Sequence, residues 1–239
     1  IVRRAEMNLN TLTLDDILEA KERIRDICVD TKLIYSSDLS KNCGNQVYIK
    51  PENLQLTGAF KLRGALNKIR KLTDEQRRRG LIASSAGNHA QGVAYSANRL
   101  GIKATIVMPR TTPLIKVQAT KEYGVNVILR GECYDEAYEE AKRLEKEKGY
   151  IFIHPFDDVE IMAGQGTIAL EILEELKDTD AILVPIGGGG LISGIAVAAK
   201  SINPKIKVIG VEPEGAKAMK MSMDEGKLVN LLQVDTIAD

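Results

Sequence analysis

From position 81 onward the chain alternates two patterns. Runs at 81–85, 104–109, 125–130, 150–154, 181–186 and 206–212 are short, continuous and rich in β-branched residues. Runs of this kind are expected of parallel strands covered on both faces, where every side chain meets a helix. Between them, segments 89–100, 114–123, 133–148, 166–176 and 191–202 carry apolar residues at helical spacing and end at Gly, Asp or Asn-Pro. Repeated strand, helix, strand spacing predicts a doubly wound α/β architecture. Upstream, Thr13 with Asp16 forms a capping box that predicts a helix over 14–27, and Thr73 with Gln76 repeats the signal before the Arg-Arg-Arg-Gly stop at 77–80.

Composition narrows the class. The chain has 239 residues, 44% hydrophobic and 28% charged, the make-up of a globular protein with a sizeable core. Lys plus Arg and Asp plus Glu are both 33, so no net field draws the chain to nucleic acid or an anionic membrane. The charges at 77–79 and 139–148 therefore read as solvated helix faces. Cys28, Cys43 and Cys133 are widely separated, a pattern of free thiols that points to the cytoplasm. Positions 1–10 show no apolar stretch of signal-peptide type. Positions 181–199 hold no ionisable residue, but Pro185 and four glycines divide them, so strand, loop and buried helix is the better reading than a membrane span. There is no linker, so a second domain must be folded from the middle of the chain.

Three signals carry chemistry. Gly187, Gly188, Gly189 and Gly190 join a predicted strand to a predicted helix, where N–H groups free of Cβ atoms form an anion cradle suited to phosphate. The bland alternative is a tight turn allowing close approach. A dinucleotide fits poorly: Glu212 stands where a ribose-binding acid would, yet the third glycine of the fingerprint falls on Ile192 or Ser193. Lys61 begins a helix whose apolar positions are Leu62, Ala65, Leu66 and Ile69, and the positive helix end disfavours its ammonium form. By itself, one lysine on an amphipathic helix is usually solvated. Ser84, Ser85, Ala86, Gly87, Asn88 and His89 bring hydroxyls, an amide and backbone N–H groups to a helix start, where they can hold a carboxylate or, more blandly, supply Ser85 or Asn88 as a cap. His89 and His154 have no ligand spacing, so no metal site is expected. A phosphate, an aldehyde for Lys61 and an amino acid with a carboxylate together describe pyridoxal phosphate acting on an amino acid.

The motifs ENLQLTGAFKLRGA (52–65), SSAGNHAQGVA (84–94), IVMPRTTPLIKV (106–117), HPFDD (154–158), AGQGTIALEI (163–172) and VPIGGGGLISG (184–194) stand in one order and spacing. From Thr13 to Asp239 the chain resembles the fold-type-II pyridoxal-phosphate enzymes, within them the serine/threonine dehydratases, and most closely the short catabolic threonine dehydratase branch. The resemblance implies three-layer parallel sheets with helices on both faces. It also implies a smaller domain of 54–152 inserted into a larger one of 1–53 and 153–239. Lys61 would be bonded to the cofactor aldehyde, Phe60 would lie beside the ring, Asn88 would bind the ring hydroxyl, and Gly187, Gly188, Gly189, Gly190 and Leu191 would hold the phosphate. Ser84, Ser85, Ala86, Gly87, Asn88 and His89 would bind the substrate carboxylate, with Phe156 shaping the side-chain pocket. The implied activity is dehydration and deamination of threonine, and of serine, to a 2-oxo acid and ammonia, with the freed Lys61 amine as general base. Related racemases carry a second proton-transfer serine where this chain has Ala86, and an acidic metal ligand where it has Ala218, so racemisation and a metal are not expected. The family also implies a homodimer or homotetramer, and sequence beyond the TIAD at 236–239, making the chain a C-terminally shortened member, with a non-catalytic fragment of such an enzyme as the alternative reading.

Overall fold

The computed structural model describes residues 11–231 and 234–237. The reading of positions 1–10 lies outside the described residues, as do the last two positions of the TIAD segment.

Helix α1 (Leu14–Ile24) starts on its capping box, with Asp16 N donating to Thr13 Oγ1 at 3.2 Å and Thr13 N donating to the Asp16 carboxylate at 2.9 Å. It ends earlier than position 27, its final residues forming a turn. Strands β1 (Ile34–Tyr35) and β2 (Tyr48–Ile49) flank α2 (Ser37–Cys43) and pair antiparallel, and none of the three was marked by the hydrophobic pattern. Two-residue strands and a seven-residue helix are too short to show a period. Helix α3 (Lys61–Lys71) buries the expected Leu62, Ala65, Leu66 and Ile69, and α4 (Asp74–Arg79) stops at Gly80 with φ 83°.

Next come β3 (Leu81–Ser84), α5 (Asn88–Arg99), β4 (Ala104–Met108), α6 (Leu114–Lys121), β5 (Asn126–Leu129), α7 (Tyr134–Lys148) and β6 (Ile151–Phe152). Their strands form one parallel sheet in the order β5-β4-β3-β6. Alternation across the pleat divides the side chains between two cores. Leu81, Ala83, Ile106 and Met108 join the α3 and α5 side, whereas Ile82 and Val107 meet Ala137, Ala141 and Leu144 of α7. Helices thus cover both faces.

Helix α8 (Val159–Glu175) begins well before the expected position 166, on an Asp158 side chain that accepts from Glu160 N and Ile161 N. The missed turns contain Gly164, and Gly166 opens the expected segment; glycines weaken an isolated helix but permit close crossings here. A Cβ on Gly164 would lie 2.6 Å from the Arg63 carbonyl and from Gly64 Cα on α3. Strand β7 (Ala181–Pro185), α9 (Gly190–Ile202), β8 (Lys207–Val211) and α10 (Ala218–Glu225) complete the described chain. A Cβ on Gly194 of α9 would lie 2.2 Å from the Met162 carbonyl, so α8 and α9 are also in near-backbone contact. Ile17, Ala20, Ala169, Ile182, Val184, Ile195 and Ala198 form the core beneath β7 and β8. On this parallel pair Leu183, Ile209 and Val211 are 67%, 44% and 49% exposed. Positions 181–199 fold as the strand, loop and helix expected, and no described helix is long and apolar enough to cross a membrane. The three cysteines are free.

Candidate active site

Lys61 is the first residue of α3, and the backbone there is held from behind by α5. A Cβ on Gly92 would lie 3.2 Å from the Lys61 carbonyl, so only glycine lets the helices approach this closely without displacement. The Lys61 side chain reaches across to donate from Nζ to the Pro155 carbonyl at 2.8 Å, with the Phe60 ring centroid 5.4 Å from Nζ. Burial pulls its pKa down to about 8. A buried amine near neutrality has the chemistry of a nucleophile and of a base.

The loop after β3 delivers the second group. Ser84 is fully buried, and its Oγ has no hydrogen-bond partner in the structure. Ser85 Oγ accepts from Gly87 N at 3.2 Å, and the N-cap of α5 is Gly87, without a side-chain cap. Neither Ser85 nor Asn88 caps the helix, which corrects the bland alternative and leaves the first N–H groups of α5 open to an anion. His89 is buried; desolvation drives its pKa down to about 3, and its Nε2 is 2.9 Å from the Ile153 carbonyl. A neutral ring donating from Nε2 keeps only an acceptor at Nδ1. What His89 can offer a carboxylate is its backbone N–H.

Lys61, Ser84, Ser85, Ala86, Gly87, Asn88, His89 and Phe156 line a single cavity of about 620 Å³. The sequence reading missed Gln91, Thr111, Thr112, Pro113, Lys116, Tyr134 and Pro155, which line it too. The position of Thr111 and Thr112 beyond the carboxyl end of β4 was a usable signal, because ligands of open parallel sheets bind there. Thr112 Oγ1, like Ser84 Oγ, is buried without a partner.

The glycine run meets this cavity through Phe156. A Cβ on Gly188 would lie 2.3 Å from the Phe156 ring, and one on Gly190 would lie 2.7 Å from the Phe156 carbonyl, whereas one on Gly187 would meet nothing. Gly189 has φ 87° and caps α9. Close approach thus requires two of the glycines and a left-handed turn a third. Among the described residues the N–H groups of Gly187, Gly188, Gly189, Gly190 and Leu191 make no hydrogen bond, and Ser193 N is the first to close onto the loop, at Gly189 O. Glu212 is committed elsewhere, accepting from Met219 N at 3.0 Å and Lys220 N at 2.8 Å, so it caps α10 and is not available to a ribose.

One buried ion cluster, which the spacing of its members did not announce, lies on the same helix as Lys61. Arg63 is 1% exposed and pairs through both ends of its guanidinium with Glu171, at 2.5 and 2.8 Å, and with Glu52, at 2.8 Å twice. Burial opposes its charge, but the two carboxylates more than offset this and raise its pKa. Lys50 at 2.6 Å completes the partners of Glu171.

The depressed lysine amine, the orphaned buried hydroxyls and the open N–H groups of α5 share one cavity, and the glycine loop, which does not line it, adjoins it at Phe156; an aldehyde cofactor bearing an anionic group calls for donors of these kinds. The donor set fits pyridoxal phosphate. The pyridoxal-phosphate dependent enzyme family matches residues 24–239, and the chain belongs to that family. An L-threonine ammonia-lyase of Thermotoga maritima is 52% identical over 95% of this chain, which spans 57% of that relative's length. The processed form of threonine deaminase isoform 2 from Solanum lycopersicum superposes with a TM-score of 0.91 at 46% identity, over 95% of this chain and 62% of that one. Maize serine racemase superposes with a TM-score of 0.93 at 41% identity, over 96% of this chain and 70% of that one.

Proposed function

We propose that the protein carrying this chain is a pyridoxal-phosphate-dependent ammonia-lyase that converts L-threonine, and L-serine, to the corresponding 2-oxo acid and ammonia. The observation that carries this reading is the convergence of the Lys61 amine and the Ser84 to His89 loop on one cavity. Bound there, the cofactor supplies an aldehyde that condenses with amino groups and a ring that accepts the electron pair left at the substrate Cα.

The chain's own groups do the rest. Gly187, Gly188, Gly189, Gly190 and Leu191 offer N–H groups to the phosphate, and Asn88 offers its amide to the ring hydroxyl. Phe60 flanks the lysine. The uncapped start of α5, with Ser84, Ser85 and the N–H of His89, orients the substrate carboxylate, and Phe156 bounds the space left for its side chain. Lys61, once released, takes the Cα proton; a pKa of about 8 leaves an appreciable fraction of the amine unprotonated at neutral pH. Ala86 presents a methyl in the same cavity, and a methyl transfers no proton, which favours elimination over the racemisation of the maize relative.

Also part of this reading are a 54–152 lobe set between 1–53 and 153–239, a homodimer or homotetramer, and a cytoplasmic location. The lobe division is supported by β3 to β6 sharing a sheet apart from β7 and β8, the location by three free cysteines. The test is release of 2-oxo acid from threonine and serine by the cofactor-loaded full-length protein. Turnover abolished in Lys61→Ala supports the reading; turnover retained, or racemised serine without 2-oxo acid, contradicts it.

A further inference from the structure

We infer that His154 is a positioning residue: by accepting two backbone hydrogen bonds at Nδ1, it folds the turn that presents the Pro155 carbonyl to Lys61 and the Phe156 ring to the glycine loop. Phe156 N lies 3.3 Å and Asp157 N 2.8 Å from His154 Nδ1. Both backbone N–H groups donate, so Nδ1 is a bare acceptor and the ring proton sits on Nε2. The ring stands edge-on to Phe156, centroids 4.8 Å apart at 87°.

Both ends of the turn are anchored elsewhere. At the front, Ile153 N donates to Ile82 O, and the Ile153 carbonyl receives His89. At the back, Asp158 caps α8 and pairs with Lys68 at 2.7 Å. Between these anchors, among the described residues, the two bonds to Nδ1 and an Asp158 N to Phe156 O bond shape the chain from within, and the Lys61 bond meets it at the Pro155 carbonyl. The Pro155 carbonyl and Phe156 lie in that span, so one imidazole sets both the partner of the lysine and the wall against which Gly188 and Gly190 close. The facing charged groups are Asp157 and Asp158, which favour the imidazolium, and Lys142 and Lys61, which oppose it. Partial burial is the largest influence and holds the pKa below the ordinary histidine value, keeping Nδ1 an acceptor at neutral pH. The inference rests on the proposed cofactor only for one of its readouts.

The experiment compares the full-length protein with His154→Asn and His154→Gln. Asn Oδ1 occupies the place of Nδ1, two bonds from Cβ, whereas Gln Oε1 projects one bond too far. Two readouts are taken: Lys61 acylation in the cofactor-free protein, followed by mass spectrometry, and pyridoxal-phosphate affinity from the cofactor's visible absorbance. H154N is expected to stay within about threefold of wild type in both. H154Q is expected to change Lys61 labelling and weaken cofactor affinity by about tenfold, the scale of two lost hydrogen bonds. Equal behaviour of the two variants, or the reverse order, overturns the inference. A wild-type protein that takes up no cofactor defeats the proposed function, while the labelling contrast still decides the role of His154.

Discussion

Lys61 Nζ donates to the carbonyl of Pro155 at 2.8 Å, joining residues 94 positions apart. The bond ties the start of α3 to the turn after β6 and gives the amine a neutral acceptor where a carboxylate would have stabilised its charge. Burial is therefore unopposed, and the pKa falls to about 8. Near pH 8 about half of Lys61 is free amine, against well under one in a hundred for a lysine at its ordinary value of about 10.4. Brief acylation of the cofactor-free protein at that pH, read by peptide mass spectrometry, is expected to mark Lys61 ahead of the exposed lysines. Labelling no faster than theirs contradicts the depressed value.

Replacing Arg63 by Met takes the guanidinium away from Glu52 and Glu171, two carboxylates that are largely out of solvent, and leaves Lys50 as the cation beside Glu171. Breaking such a network from one side costs about 3–5 kcal/mol, because two buried carboxylates are then left with less opposing charge than they need. Urea denaturation should show a loss of that order for Arg63→Met. The double change of Arg63→Met and Glu171→Leu should lose less than the two single changes summed.

Gly188→Ala keeps the N–H and adds one methyl, aimed at the Phe156 ring. Cofactor retention on gel filtration should drop sharply. Combining it with Phe156→Leu should restore part of the retention, since the obstruction is steric. If the double variant retains no more cofactor than Gly188→Ala, packing against Phe156 is not what the glycine is for.

His89 gives the acid limb of stability. Its native pKa of about 3 lies below the ordinary value of about 6.5, so between these pH values the unfolded chain binds a proton that the native ring refuses. Stability contributed by the neutral ring is complete above about pH 6.5 and declines as pH falls, by at most about 1.4 kcal/mol per pH unit. Denaturation series between pH 7 and pH 4 should give a shallower slope for His89→Gln than for wild type. Parallel slopes would remove His89 from the account.

Local chemistry made much of this legible in advance. The capping boxes at Thr13 and Thr73 and the apolar runs placed strands β3 to β8 to within a residue or two, because each signal acts over a few neighbours. Glycines marked the places where reading stopped. The helical reading began only at Gly166, and what lets the helix run back through Gly164 lies in α3, far away in sequence. The glycine run pointed to an anion, but Gly188 and Gly190 also answer to Phe156, which spacing cannot reveal. Arg63 stands two residues after Lys61 in the 52–65 motif, but nothing in the spacing joins it to Glu171, which comes from a separate segment. Of the site itself, Lys61 and the 84–89 loop were visible because residue type and helix starts declare them; Tyr134 and Pro155 enter through tertiary folding.

The most direct measurement is borohydride reduction of the purified protein with pyridoxal phosphate, followed by peptide mapping of the fixed cofactor. The account predicts a visible absorbance band before reduction and one labelled position, Lys61, with the label lost in Lys61→Ala. A label spread over exposed lysines, or fixed at another single lysine, would contradict it.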